Sequence, residues 1–394
     1  MRAVLYYAFG ASGRAAGERL EERGNEVVRV DRSLGNEDDL ALLDGADVLV
    51  KTPGVPPGAP LVRAARERGV PVWSEIELGY RLLPETRFVG VTGTNGKTTT
   101  TALLGAIFEA AGRDVAVAGN IGLPLTSVRA ADWVVCELSS FQLEDVDTFA
   151  CEVAVLLNLD PDHLDRYASV DEYRDAKLRI FERARVAVVP RSFPLGNSYN
   201  SVTVIEFEAS DPLPAEPLLR GAHNRENAAA ATAAARAAAV DDAAIAEALR
   251  TFPGVPHRLE LVATVGGVRF VNDSKATNVA AARRGLEAYR DEPVHLILGG
   301  SLKGESFAPL ATAVGPGVRS IHLVGEASDE LADALDGRPF DRDGTLDRAV
   351  EHAFGEAAPG DVVLLSPACA SYDQYENFER RGEHFRALAH ALST

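Results

Sequence analysis

Short apolar runs closed by glycine, proline or polar clusters recur along the chain. Between them lie longer stretches in which apolar residues return every three or four positions. The runs read as buried parallel strands and the longer stretches as helices packed on them. A strand over 3–7, a turn carrying Gly10 and Gly13, a helix over 14–23 and a strand over 26–30 ending at Asp31 make a βαβ start. A strand over 47–51 then breaks at TPGVPP (52–57), a rigid turn at the carboxyl edge of a sheet, where ligands of such sheets bind. A second series begins near Phe88, with a strand over 88–91, a helix over 98–111 and strands over 133–137 and 153–158. Residues 228–239 are nearly all alanine and read as a tightly packed helix, and DPLPAEP (211–217) as an irregular connection. FPGVPHR (252–258) reads as an interdomain hinge, after which strands over 269–272, 295–299, 320–324 and 361–365 alternate with helices. The expected architecture is α/β, with three consecutive doubly wound domains over 1–75, 76–254 and 255–394. The first and third are Rossmann-like; the second is a mostly parallel sheet of the phosphate-loop ATPase type.

Composition narrows the functional classes. At 394 residues, 46% of them hydrophobic, the chain can bury several cores. No apolar run approaches a membrane span, and the first residues lack a basic region followed by an apolar core, so a cytoplasmic protein without membrane insertion is expected. Cys136, Cys151 and Cys369 are scattered and read as reduced thiols. A net charge of −18 argues against nucleic-acid binding and means that any phosphate site must gather its own positive groups. Five of the 40 basic residues are lysine: Lys51, Lys97, Lys177, Lys275 and Lys303. A chain that writes arginine elsewhere marks with lysine the places needing a compact ammonium or a reactive amine.

The chemistry concentrates at TGTNGKT (92–98). Gly96-Lys97-Thr98 closes a phosphate-loop pattern whose first glycine is replaced by Val91. A strand ends there, the backbone turns through Gly93 and Gly96, and a helix begins near Thr98. Its free amides suit phosphate oxygens, Lys97 adds a point charge, and the Thr98 hydroxyl is placed for Mg²⁺. Glu137 closes a buried strand in ELSSFQL and reads as a metal carboxylate. His163 follows the strand over 153–158 among three acids. Lys177 lies on an amphipathic helix flanked by Arg174 and Arg179, and an amine, unlike a guanidinium, can take up CO₂ as a carbamate that ligates a metal. Gly10-x-x-Gly13 is only a fragment of the dinucleotide fingerprint.

TGTNGKT, ELSSFQL, DHLDRY (162–167) and YRDAKLRIF (173–181), in this order and spacing, resemble the ATP-dependent Mur ligase superfamily, which forms amide bonds in peptidoglycan precursors. VNDSKATN (271–278), LGGSLKGESF (298–307) and the stretch 364–382 resemble its D-glutamate-adding branch, and the likeness spans the chain. The resemblance implies three reactants: ATP, D-glutamate and UDP-N-acetylmuramoyl-L-alanine. It implies that Gly93, Thr94, Asn95, Gly96, Lys97, Thr98 and Thr99 hold ATP phosphates. Asn224 and Asn227 then lie on the adenine side, His257 and Arg258 near the nucleotide, and Asp273 at the ribose. Two Mg²⁺ ions (Mn²⁺ as a substitute) are implied, one held by Thr98 and Glu137, the other by His163 and a carbamylated Lys177. Lys97, His163 and Lys177 are the implied catalytic set. Residues 9–14, including Gly10, Ser12 and Gly13, would hold the uracil or diphosphate end of the sugar nucleotide, Asp31 the uridine, Thr52 and Gly54 a phosphate, and Asn120 the peptide end. Lys275, Thr277, Lys303, Ser371 and the backbone around Phe378 would receive D-glutamate.

The implied reaction is phosphorylation of the alanine carboxylate by ATP, attack of the D-glutamate amine on the acyl phosphate, and loss of phosphate. A monomer closing about residues 254–258 is expected. The alternatives are another ligase of the superfamily, folylpolyglutamate synthase included, or a non-catalytic nucleotide-binding module. Lys51 is left open, as a surface cation or a diphosphate contact. The connection over 191–219 is shorter than usual for the superfamily, and YYAFGASG (6–13) departs from its usual glycine turn.

Overall fold

The computed structural model describes residues 1–120, 122–160, 166–191, 193–194, 201–219, 221–302, 304–335 and 337–392. Strands β1 (Arg2–Tyr6), β2 (Glu26–Val30), β3 (Val48–Lys51) and β4 (Val72–Ser74) form a parallel sheet in the order β2-β1-β3-β4. The order reverses between β1 and β3, and the loop after Tyr6, Asp31 and Thr52 all lie at carboxyl ends of these strands, which is where such sheets open a crevice.

Six parallel strands make the second sheet: β5 (Arg87–Thr92), β6 (Val115–Gly119), β7 (Trp133–Glu137), β8 (Val153–Leu156), β9 (Val186–Pro190) and β10 (Thr203–Phe207). Their order is β10-β9-β8-β5-β7-β6. Continuous apolar runs arise here because both faces are covered. Val89, Val91, Trp133, Val135, Val153 and Val155 face a core shared with the helices Lys97–Ala110, Ala222–Ala237 and Asp242–Thr251. Phe88, Val134, Cys136, Ala154 and Leu156 face the opposite core. The alanine-rich helix packs as the sequence predicts, with Ala228–Ala231, Ala234 and Ala235 buried. The helix Glu75–Arg81 links the first two sheets, capped by the Ser74 hydroxyl, which accepts from Glu77 N at 3.3 Å.

The third sheet contains β11 (Glu260–Val265), β12 (Val268–Asn272), β13 (Val294–Gly299), β14 (Val318–Val324), β15 (Asp341–Gly344) and β16 (Val362–Leu365), in the order β11-β12-β16-β13-β14-β15. All pairings are parallel except β11 with β12, a hairpin turned at Gly266-Gly267, both with positive φ (58° and 83°). The chain divides into two compact units: Met1–Leu218 with His223–Phe252, carrying the first two sheets, and Leu219–Ala222 with Pro253–Thr394, carrying the third. Among the described residues no helix is long and apolar enough to cross a membrane.

Candidate active site

In the first unit the phosphate-loop segment sits at the carboxyl end of β5, the central strand of its sheet. Gly93 (φ 152°) and Gly96 (φ 82°) carry backbone that other residues rarely adopt. A Cβ on Gly96 would lie 2.2 Å from Asn227 Oδ1, so the loop turns directly against the helix bearing Asn224 and Asn227. Both asparagines are buried, and Asn227 Nδ2 donates to Asn224 Oδ1 at 3.4 Å. The helix Lys97–Ala110 starts at once, with Thr98 half-buried and Thr99 buried in its first turn.

Lys97 Nζ donates to the carbonyls of Gly93 (2.9 Å) and Thr94 (3.0 Å). Lys177, from the helix Val170–Leu178, is buried and donates to the same Gly93 carbonyl at 2.9 Å, with its Nζ 4.7 Å from the Tyr173 ring centroid. Two ammonium groups from separate elements therefore converge on one backbone oxygen. The loop is braced by residues that motif reading grouped only loosely. Asn95 N donates to Asn158 Oδ1 (2.8 Å), Asn95 Nδ2 to Asp160 Oδ2 (2.9 Å), and the Thr94 hydroxyl lies 3.0 Å from Tyr173 OH. A cavity of about 430 Å³ opens beside these groups, lined by Asn158, Asp160, Tyr173, Arg174, Phe193 and Glu226. The Glu226 carboxyl is pushed up by burial and by the nearby Asp160 charge.

Glu137 ends β7 almost fully buried, and its Oε1 accepts from Asn120 Nδ2 at 3.0 Å. The Thr98 hydroxyl and this carboxylate are oxygen donors of the kind a hard divalent cation takes, so the residues present fit Mg²⁺. His163 and Lys303 lie outside the described residues.

At the first sheet, Gly13 is fixed by sterics: a Cβ there would come within 2.3 Å of Tyr7 O. Gly10 caps the following helix Ala11–Glu22, with Ser12 half-buried in its first turn. Asp31 accepts from Ser33 N (3.0 Å), the Ser33 hydroxyl (2.9 Å) and Phe9 N (3.4 Å), and these donors, the Ser33 amide foremost, hold its carboxyl below the usual range. Thr52 is buried and Gly54 exposed in the turn after β3.

Lys51, just before that turn, is not a surface cation. It is 1% exposed, and its Nζ pairs with Asp145 (2.8 Å) and Glu144 (3.5 Å), which follow the short helix Ser140–Leu143 of the second sheet. Arg66 holds the other Asp145 oxygen at 2.7 Å, and Arg166 and Tyr167 hold Glu144 at 2.7 and 2.6 Å. Sequence reading flagged the lysine and missed its partners, because nothing in the spacing 51 to 145 pairs them.

In the second unit Asp273 follows β12, buried, accepting from the Ser366 hydroxyl (2.7 Å) and Leu259 N (3.3 Å); burial raises its carboxyl to about 7. His257 has a positive φ (64°), its ring lies 3.0 Å from Asn272 Nδ2, and a Cβ on Gly382 would come 2.1 Å from its Nδ1. Burial lowers its imidazole below the ordinary value. Arg258 Nε is buried without a hydrogen-bond partner among the described residues. Lys275 and Thr277 are half-buried, with Lys275 Nζ 5.9 Å from the Phe378 ring centroid. Ser371 is buried in the loop after β16.

A residue that motif reading passed over, Arg381, organises this end of the third sheet. Its guanidinium is buried and donates to the Ser274 hydroxyl (3.0 Å) and to the carbonyls of Ser274 (2.9 Å), Ala370 (3.0 Å) and Cys369 (3.1 Å). The Ser274 hydroxyl in turn donates to Phe378 O at 2.8 Å. One cation thus ties the stretches holding Lys275, Ser371 and Phe378. In sequence it is one arginine of a pair, indistinguishable from its exposed neighbour Arg380.

Residues 91–205 match the family model for the Mur ligase middle domain, and residues 257–369 that for the Mur ligase glutamate ligase domain. Among curated relatives, the UDP-N-acetylmuramoylalanine--D-glutamate ligase of Acidobacterium capsulatum is 41% identical over 441 residues, covering 98% of this chain and 95% of that protein. The enzyme of the same name from Anaeromyxobacter dehalogenans is 45% identical over 404 residues, covering 91% and 87%. Two solved structures share the fold. UDP-N-acetylmuramate-alanine ligase MurC of Thermotoga maritima has a TM-score of 0.64 at 20% identity over 99% of each chain. The bifunctional folylpolyglutamate synthase/dihydrofolate synthase of Yersinia pestis, complexed with AMPPNP and Mn ion, has 0.58 at 19% identity over 79% of this chain and 92% of that one. Sequence identity of this order over nearly the whole length settles what the motifs implied: the chain belongs to the Mur ligase superfamily, in the family of UDP-N-acetylmuramoylalanine--D-glutamate ligases.

Proposed function

We propose that this protein joins D-glutamate to UDP-N-acetylmuramoyl-L-alanine, driven by ATP, in the cytoplasmic synthesis of peptidoglycan precursors. The observation that supports it most is the convergence of Lys97 and Lys177 on the Gly93 carbonyl. A nucleotide-binding module needs the first lysine; it has no use for the second.

The proposed division of labour follows the three segments. Residues 1–75 bind the sugar nucleotide, through Gly10, Ser12 and Gly13 at the first turn, Asp31, and Thr52 with Gly54. Residues 76–254 bind ATP, and 255–394 the amino acid. Amides of Thr94–Thr99 and the start of the helix Lys97–Ala110 take phosphate oxygens, and Lys97 exchanges its carbonyl partners for the γ-phosphate. Asn224 and Asn227 serve the adenine side, and His257, Arg258 and Asp273 the rest of the nucleotide. Two Mg²⁺ ions, with Thr98, Glu137, His163 and carbamylated Lys177 as protein donors, would supply neutralisation of charge on the transferring phosphoryl group. A buried amine suits carbamate formation because holding a bare ammonium out of water is costly. Asn120 orients Glu137 and reaches the peptide end of the acceptor. Lys275, Thr277, Lys303, Ser371 and the Phe378 backbone hold the two D-glutamate carboxylates so that its amine faces the acyl phosphate. The protein works as a monomer.

Phosphate release tests the reading. It should require UDP-N-acetylmuramoyl-L-alanine and D-glutamate together, and fail with L-glutamate, L-alanine or diaminopimelate. Equal release without the sugar nucleotide or the amino acid refutes it.

A further inference from the structure

Two buried histidines of the third sheet face one hydroxyl between them, and His352 lies beside the outer carboxylate of Asp343. His295 on β13 is the register partner of Ser320 on β14, and His322 stands two residues further along the same face. They are 2% and 0% exposed. The site lies away from the carboxyl-end loops that carry Lys275 and Ser371, since His295 is near the amino end of β13 and Asp361 immediately precedes β16.

Proton accounting defines the problem. His295 Nε2 lies 3.2 Å from Asp361 Oδ2, and His322 Nδ1 lies 2.9 Å from Asp343 Oδ2. Carboxylates only accept, so each of those nitrogens carries the proton, and His295 Nδ1 and His322 Nε2 are left with lone pairs. Both lone pairs face the Ser320 hydroxyl, 2.8 Å from each. A hydroxyl has one proton and can satisfy one of them. Glu356 adds a carboxylate oxygen 4.0 Å from His295 Nδ1 and 3.7 Å from His322 Nε2. Glu356 is the last residue of the helix Leu346–Glu356, where the helix dipole disfavours an anion unless a cation is near.

We propose that His295 Nδ1, His322 Nε2 and Glu356 form a binding site for a divalent transition-metal ion of the zinc type. The three donor atoms lie within 4.8 Å of one another. Tetrahedral zinc with bonds of about 2 Å sets its ligands roughly 3.3 Å apart, so small side-chain shifts complete the set. Each imidazole is already oriented by a carboxylate on its other nitrogen, the arrangement metal-ligating histidines use to fix tautomer and raise basicity. Imidazole nitrogens select this class of ion over Mg²⁺ or Ca²⁺. The bound ion would pin the end of the helix Leu346–Glu356 to β13 and β14, a structural role separate from turnover.

The test uses the full-length protein stripped with a chelator and titrated with Zn²⁺, then with Co²⁺ for its visible spectrum. Wild type should bind one ion more than Glu356→Gln or His322→Gln, or bind it at least tenfold more tightly. Its Co²⁺ spectrum should have tetrahedral intensity that the variants lose, and its melting temperature should rise with Zn²⁺ while that of Glu356→Gln does not. Glu356 is half-exposed, so its variant should fold and keep Mg²⁺-supported turnover. Zn²⁺ taken up around Glu137 and Lys177 would be the same in all proteins and cancels. Equal uptake and affinity in wild type and both variants overturns the proposal. So does failure of wild type to bind.

Discussion

Gly96 holds a φ of 82° while its α-carbon faces Asn227, leaving no room for a methyl group. Gly96→Ala should cost about 1–3 kcal/mol of stability and weaken ATP binding, read by denaturant melts and by KM for ATP. Lys177→Ala should lower turnover by at least about 100-fold, with partial recovery when short carboxylates replace the carbamate. A fully active Lys177→Arg would contradict the carbamate. Asp273 carries a testable pH signature. Its folded carboxyl sits at about 7, above the ordinary 3.8, so the native state holds the proton more tightly. That contribution is complete below about pH 4 and is lost as the pH rises towards 7. Asp273→Asn should remove this slope from a stability-against-pH profile. The turn through Gly93 and Gly96 into the helix Lys97–Ala110 was legible because the whole motif is contiguous. Lysine scarcity pointed to Lys51 and Lys177, but only the fold shows one paired with acids 93 and 94 positions away and the other reaching back to Gly93.

The elements read best where both faces of a strand are buried. The expected strand over 133–137 coincides with β7, whose five residues are all buried, since an unbroken apolar run needs cover on both sides. Most edge strands escaped, β2 at 26–30 being an exception. β15 reads Asp-Arg-Asp-Gly, with three of its four residues exposed, and no periodicity announces it. β11 carries the one antiparallel pairing of the third sheet, and its signal was the Gly266-Gly267 turn. Arg381 acts at this scale, joining loops rather than touching a reacting atom. Its guanidinium is lowered to about 10 by burial and stays charged at neutral pH. Arg381→Met would leave the Ala370, Cys369 and Ser274 carbonyls without their donor. It should cost about 3–5 kcal/mol and raise KM for D-glutamate more than it lowers kcat. Arg381→Lys should recover only part, since an ammonium cannot span the same fork of acceptors.

Across the whole molecule, a net charge of −18 coexists with buried cations, Lys177 and Arg381 among them. Lys51 is one such cation, shared between the first and second sheets of one unit. Lys51→Met should destabilise that unit by about 3–5 kcal/mol in urea melts, because Asp145 is left buried with less compensation. Adding Asp145→Leu should return part of the loss; a purely additive double variant would mean that the pair is not coupled.

The helix Glu75–Arg81 adds to this joint, with Glu77 accepting from the amides of Asp147, Thr148 and Phe149. Breeding hybrids from two relatives by crossing over near residue 75 would therefore sort by compatibility at a few acidic and basic positions. Offspring that inherit the lysine from one parent and a neutral residue at position 145 from the other should be lost before any substrate is met.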